Sequence, residues 1–306
     1  MKPFIPGQIL PTTVVGSYPA EPRRTLRSLL DPFHEAVCQA VDAQISAGIT
    51  IISDGQVRGD MIGTFASRLP GISGKDVIGK VMPSGQTITT KDTRYAIARH
   101  QYVKGIVTGP STLSHGLHLS TANYRSRDEL IPDIADALAT EARAIGELGI
   151  TMLQIDEPIF STGVADLNLG KKAIEQIAQQ VSVPICLHVC GPLSRIIDEY
   201  VRMPVQVLDF EGSVDPENLS SLSSRDLKDK YIGFGCVDSA SPKLEDLETI
   251  ISRIRAGVEV FGPERLILDP DCGLRMLPQD VAYAKLSRLC DAAAVVRAET
   301  GNSDHR

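Results

Sequence analysis

Residues 151–190 read TMLQIDEPIFSTGVADLNLGKKAIEQIAQQVSVPICLHVC, and this stretch contains the unit from which the rest of the chain is built. It opens on a short apolar run, 151–155, that ends in the polar residues Asp156-Glu157-Pro158. Over 171–181 the apolar residues recur at helical spacing. A second apolar run, 184–189, then ends in His188-Val189-Cys190. Strand, helix and strand in this order imply a right-handed βαβ unit with parallel strands.

Working outward, the same unit recurs. Further strand candidates lie at 13–16, 50–53, 102–108, 205–210, 231–237 and 265–268, which with the first two makes eight. Helical spacing also marks 129–148, 244–261 and 278–297. Eight such units predict an α/β chain folded as a single (β/α)8 TIM barrel over residues 1–306. The segment 62–100 breaks the rhythm. Its Gly- and Pro-rich composition, with alternation on either side of Ser84-Gly85, predicts a β-hairpin inserted after the second strand.

Composition narrows the function. The chain has 306 residues, 42% of them hydrophobic and 23% charged, which are the proportions of a soluble globular protein. A formal net charge of −7, well mixed along the chain, gives no basic face, so no nucleic-acid partner is expected. No apolar run reaches the ~18 residues of a membrane span. The N-terminal MKPFIPGQIL is broken by Pro3 and Pro6 and does not read as a signal peptide. The expected location is cytoplasmic, where thiols are more often metal-binding, catalytic or buried than disulfide-bonded.

Polar residues gather at the C-terminal ends of all eight predicted strands, the face on which barrel enzymes build their sites. His188 and Cys190 are two apart at one strand end, so both side chains face the same way. Glu211 and Cys272 fall at the ends of later strands. One imidazole, two thiols and a carboxylate make a plausible tetrahedral zinc shell, and sulfur ligands favour zinc over magnesium or calcium. His-x-Cys alone is a weak signal, since such pairs more often pack in a core. Cys186 has the same parity but sits deeper and reads as a buried thiol. His115, His118, Tyr124 and Arg125 mark a loop that reads as solvated or as a lid. Asp269-Pro270-Asp271 reads as a turn or as support for Cys272.

Several motifs extend the reading: VVGSYP at 14–19, SDGQVRGDM at 53–61, TGPSTL at 108–113, QIDEP at 154–158, HVCG at 188–191, DFEGS at 209–213, GFGCVD at 233–238 and LDPDCGLR at 268–275. In these the chain resembles the C-terminal catalytic half of cobalamin-independent methionine synthase. It looks closest to the short forms that lack the N-terminal half. The resemblance implies a (β/α)8 barrel that carries one zinc ion on His188, Cys190, Glu211 and Cys272. It also implies that L-homocysteine is the methyl acceptor, with Asp156 on its amino group and the Ser17 loop on its carboxylate. Gln56 stands where longer members carry a second amine-binding glutamate, and an amide keeps the acceptor but loses the charge. Asp238 remains on the seventh-strand loop and joins Asp156 as a candidate catalytic residue.

Two departures bear on the methyl donor. Ala240 replaces the histidine that the folate-using members carry near the pterin, and the chain has no tryptophan to stack on a pterin. A methyl on folate N5 leaves behind an amine that needs a proton, whereas a methyl on cobalt does not. The expected donor is therefore methylcobalamin or a methylated corrinoid protein, with a methylated pterin as the second choice. Two further readings stay open at this point: a related zinc enzyme that alkylates a different thiol such as coenzyme M, and a barrel that only binds a corrinoid.

Overall fold

The structure, a computed structural model, describes residues 1–22 and 31–303. Six parallel strands form its main sheet: β1 (Lys104–Thr108), β2 (Met152–Asp156), β3 (Ile185–Val189), β4 (Val207–Glu211), β5 (Tyr231–Val237) and β6 (Leu266–Pro270). They are hydrogen-bonded in sequence order, as repeated βαβ units require. Nearly every residue in them is buried, the pattern of parallel strands covered on both faces. Beyond β6 and β1 the pairing continues through single parallel bridges: Thr12 with Leu268, Thr13 with Ile51, and Ile52 with Val103.

Helices cover the outside of the sheet. Helix α1 (His34–Ala47) packs against α4 (Gln279–Ser303), which packs in turn against α3 (Leu247–Phe261). Between β1 and β2 runs α2 (Arg127–Gly146). It starts where Ser126 accepts from the Glu129 N–H, with Asp128 and Glu129 in the first turn to complement the helix dipole. The helix Leu167–Ala178, between β2 and β3, is capped by Asp166 and buries Gly170, Ala173, Ile174 and Ile177.

Inside the sheet the strand pleat sorts the residues into levels. Ile5, Ile51, Met152, Cys186, Val207 and Ile267 form a separate apolar cluster at the base. Two residues further along their strands come Gln154, His188, Asp209 and Asp269, all buried and all polar. Gly233 faces this level because there is no room for a side chain: a Cβ there would stand 2.7 Å from the Asp209 Cβ.

The predicted hairpin at Ser84-Gly85 does not form. Residues 78–89 are irregular, and the segment's antiparallel ladder is a two-residue pairing of Ile72–Ser73 with Asp76–Val77, on whose other side His118–Leu119 pairs in parallel. The reason lies in where the backbone donors go. Val81 N donates to the Tyr124 hydroxyl at 2.8 Å, and Ile88 N and Thr89 N donate to the Glu141 carboxylate at 2.8 and 2.7 Å. Side chains, not a partner strand, take these groups. The Tyr124 hydroxyl itself donates to Asp133, so the 118–125 segment is tied to α2.

Glu141 also accepts from the Thr89 hydroxyl at 2.9 Å and is 4% exposed, so it fastens the 80–90 segment to α2 through three bonds. Glu141→Ala leaves two backbone donors without partners and should cost about 1–3 kcal/mol. Urea unfolding at unchanged m-value checks this.

A candidate metal centre and its cavity

The ends of the strands open on a cavity of about 350 Å³ lined by Ser17, Gln56, Asp156, His188, Cys190 and Cys272. Val15, Val57, Phe65 and Ile106 supply the apolar wall. His188 and Cys190 reach it because they share one face at the end of β3, and Cys272 follows β6. The ligand atoms of His188, Cys190 and Cys272 all lie within 4.8 Å of one another.

His188 is held by the level beneath it. Its Nδ1 lies 3.1 Å from Asp209 Oδ1, with both side chains 2% exposed. Burial alone lowers an imidazole pKa, but the Asp209 carboxylate overrides this and holds His188 well above its ordinary value. With Nδ1 facing Asp209, Nε2 points toward the two sulfurs. It is buried and has no hydrogen-bond partner among the described residues. Buried polar atoms are rarely left in that state. The Cys190 thiol lies against Cys272 and, with His188, draws the Cys272 pKa down to about 4, while Cys190 is pushed up. An unpartnered imidazole nitrogen beside a thiolate and a thiol suits zinc, with Asp209 orienting the histidine as carboxylates do behind metal-bound imidazoles.

The structure does not bring every expected residue to this group. Glu211 ends β4 nearby, but its Oε2 accepts from Gly191 N at 2.8 Å and the carboxylate lies outside the 4.8 Å cluster. Burial raises its pKa. Asp238 does not line the cavity. Its Oδ1 accepts from Ala240 N at 2.7 Å and Ser241 N at 3.2 Å, so it shapes its own loop. Cys186 is buried, as expected, and its thiol donates to Asp209 Oδ2 at 3.8 Å.

Asp156, at the end of β2, is 5% exposed, and burial raises its pKa to about 6. Ser17 packs on Cys272's neighbour Gly273, where a Cβ would stand 2.1 Å from the serine hydroxyl and force it to turn away. Gln56 adopts φ 46°, a left-handed conformation uncommon outside glycine. Two contacts hold it there: Gln56 N donates to Asp54 Oδ1 at 2.9 Å, and the Arg275 guanidinium donates to Gln56 O. Further out, Arg58 is clamped between Asp31 and Asp92.

Two contributors were not singled out from the sequence. Asp209 lies two residues before Glu211 and Gln154 two before Asp156, so strand parity alone places each on an inward face. Asp271, which reads in the sequence as part of a turn or as support for Cys272, proves to reach across to another loop. It accepts from Gly212, Ser213 and Val214 N at 2.9–3.0 Å and so ties the loop after β4 to the loop that carries Cys272.

Over residues 10–295 the chain matches the family model described as the catalytic domain of the cobalamin-independent synthase. The methionine synthase of Methanothermobacter marburgensis is 40% identical over 305 residues, which cover 92% of this chain and 99% of that protein. The methionine synthase of Methanocaldococcus jannaschii is 38% identical over 310 residues, 94% of this chain and 99% of that protein. A B12-independent methionine synthase from Shewanella sp. W3-18-1, solved with selenomethionine, superposes with a TM-score of 0.83 at 22% identity, covering 96% of this chain and 99% of that one. At that identity the likeness bears on the fold alone. The description "cobalamin-independent" conflicts with the expected methylcobalamin or corrinoid-protein donor, and that expectation is withdrawn. Among the described residues no helix is long and apolar enough to cross a membrane.

If Asp209 orients a metal-bound histidine, Asp209→Asn should weaken metal binding about 10–100-fold, the usual effect of losing such a partner. Competition with a chromogenic chelator measures it, and Asp238→Asn should leave the affinity unchanged.

Proposed function

The chain belongs to the cobalamin-independent methionine synthase family, and from that premise we propose that it moves a methyl group to the thiol of L-homocysteine to make methionine, with one zinc ion per chain. The observation that carries this reading is the meeting of a His/Cys/Cys donor set with the buried carboxylate of Asp156 in one cavity. Homocysteine has a thiol at one end and an ammonium and a carboxylate at the other, and the cavity offers a group for each. The pairing bridges between residues 12–13, 51–52 and 103 support reading the sheet as a closed (β/α)8 barrel, with 1–306 as one catalytic unit.

His188, Cys190 and Cys272 would hold the zinc, with Glu211 at the end of the neighbouring strand as the fourth ligand. When bound, zinc keeps a thiol substrate deprotonated at neutral pH, where a free thiol with pKa near ~8.5 is mostly protonated. The chain's residues do the rest. Asp156 takes the substrate ammonium and so fixes the direction in which the sulfur points. Gln56 offers its amide oxygen as a second, uncharged acceptor. The Ser17 loop, packed on Gly273, faces the substrate carboxylate. Val15, Val57, Phe65 and Ile106 keep water from the sulfur and the incoming methyl group. Asp238 is assigned to loop shape and takes no part in the chemistry. The methyl donor is a carrier whose class these residues do not select.

A methyl-transfer assay that pairs homocysteine, or an amine-free thiol such as coenzyme M, with a panel of methyl donors tests the reading. Methionine should form, and the amine-free thiol should be a poor acceptor. No methionine with any donor would overturn the proposal.

Amine binding requires ionised Asp156. Burial lifts its pKa to about 6, so the carboxylate is charged above that pH and neutral below it. The kcat/KM for homocysteine should therefore be flat above about pH 7 and fall as the pH drops through 6. Asp156→Asn should abolish this acid limb and weaken homocysteine binding by about 1.5–3 kcal/mol, with zinc retained.

A further inference from the structure

Lys104, at the start of β1, is 1% exposed inside the strand ring, and the reaction described above gives it no part. Its Nζ donates to Gln154 Oε1 at 2.5 Å. An ammonium group has protons to give and no lone pair to offer. This contact therefore leaves the Gln154 amide one orientation, oxygen toward Lys104 and nitrogen away. The nitrogen uses both its protons: Nε2 donates to Val15 O at 2.6 Å and to Asp156 Oδ1 at 2.7 Å. Gln154 is 0% exposed, so water does not compete for these bonds. The strand register makes the arrangement possible. Lys104 pairs with Met152, one pleat below Gln154, and Gln154 and Asp156 are successive residues on the inward face of β2.

The consequence falls on Asp156. With Oδ1 held by Gln154, rotation of the carboxylate is blocked. Oδ2 has no hydrogen-bond partner among the described residues, and Asp156 lines the cavity. A carboxylate with one oxygen pinned and the other open accepts a cation from one direction. We propose that Lys104 and Gln154 form a rigid hydrogen-bond relay that sets Asp156 for the substrate ammonium, which makes Gln154 the positioning residue behind selectivity for an α-amino acid. The inference rests on the homocysteine reading and adds to it what fixes the amine end.

The test separates amine recognition from general damage. Zinc-loaded protein is titrated calorimetrically with L-methionine and with 4-(methylthio)butanoate, the same molecule without its α-amine. The ratio of the two affinities reads the amine alone. Gln154→Leu should cut that ratio at least 10-fold, through weaker methionine binding only, with zinc content unchanged. Gln154→Met, closer in length and equally without a donor, serves where the leucine variant fails to fold. Gln154→Glu should cut the ratio further, because a glutamate paired with Lys104 has no proton for Asp156. Equal weakening of both ligands, or an unchanged ratio in a folded variant, would overturn the relay. Asp156→Asn measured alongside keeps the two readings apart. If it leaves the ratio unchanged, amine recognition by Asp156 fails and the relay with it. If it collapses the ratio while the Gln154 variants do not, the relay alone fails.

Discussion

An ionised carboxylate shut away from water is costly unless its neighbours answer its charge, and the interior of this protein is arranged around one, Asp209. His188 Nδ1 faces one of its oxygens and the Cys186 thiol donates to the other. The Tyr200 hydroxyl donates to its backbone carbonyl at 2.7 Å, and Gly233 leaves space for its side chain. Asp269 stands beside it on β6. Burial and the Asp209 charge push Asp269 well above the usual carboxylate range, while His188 holds Asp209 below it. Lys104 supplies the fixed positive charge that both feel. Take Asp209 away and His188 loses what aims Nε2 at the sulfurs.

The site thus sits on a support that is stiff for physical reasons. An apolar base excludes water, and above it Gln154 is held by three hydrogen bonds and His188 by its contact with Asp209, in a medium where unpaired groups are expensive. The loops at the top are tied in the same way. Glu157, fully buried with its pKa raised by burial to about 7, accepts from Ser111 and Thr112 N and pins the turn after β1. Asp271 does the same for the turn after β4. Such second-level anchoring keeps a site from loosening by the ångström that costs activity.

How much of this was legible beforehand differs by element. The six sheet strands lie where the apolar runs placed them, because a parallel strand covered on both faces has to be apolar throughout. The first two predicted strands survive as single bridges at Thr12–Thr13 and Ile51–Ile52. The hairpin at Ser84-Gly85 failed because alternation records which residues are apolar and says nothing about what will accept the backbone N–H groups. Glu141 and Tyr124, far along the chain, took them. Glu211 and Asp238 show that a position at a strand end does not fix which contact a side chain makes. Both stand at strand ends, as expected, yet their rotamers turn to Gly191 N and to the Asp238 loop.

What the sequence determined by itself was therefore the strand order, the inward parity of His188, Cys190 and Asp156, and the gathering of polar residues at one end of the strands. These depend on the two-residue period of the pleat and the length of each βα unit, which are local properties of the chain. The tertiary structure alone decided which hydrogen bond each polar group makes: His188 with Asp209, Gln154 between Lys104 and Asp156, Asp271 across two loops. Such partners come from strands that are distant in sequence. A buried polar group takes whichever partner the packed interior brings within hydrogen-bonding reach, and no local pattern encodes that choice.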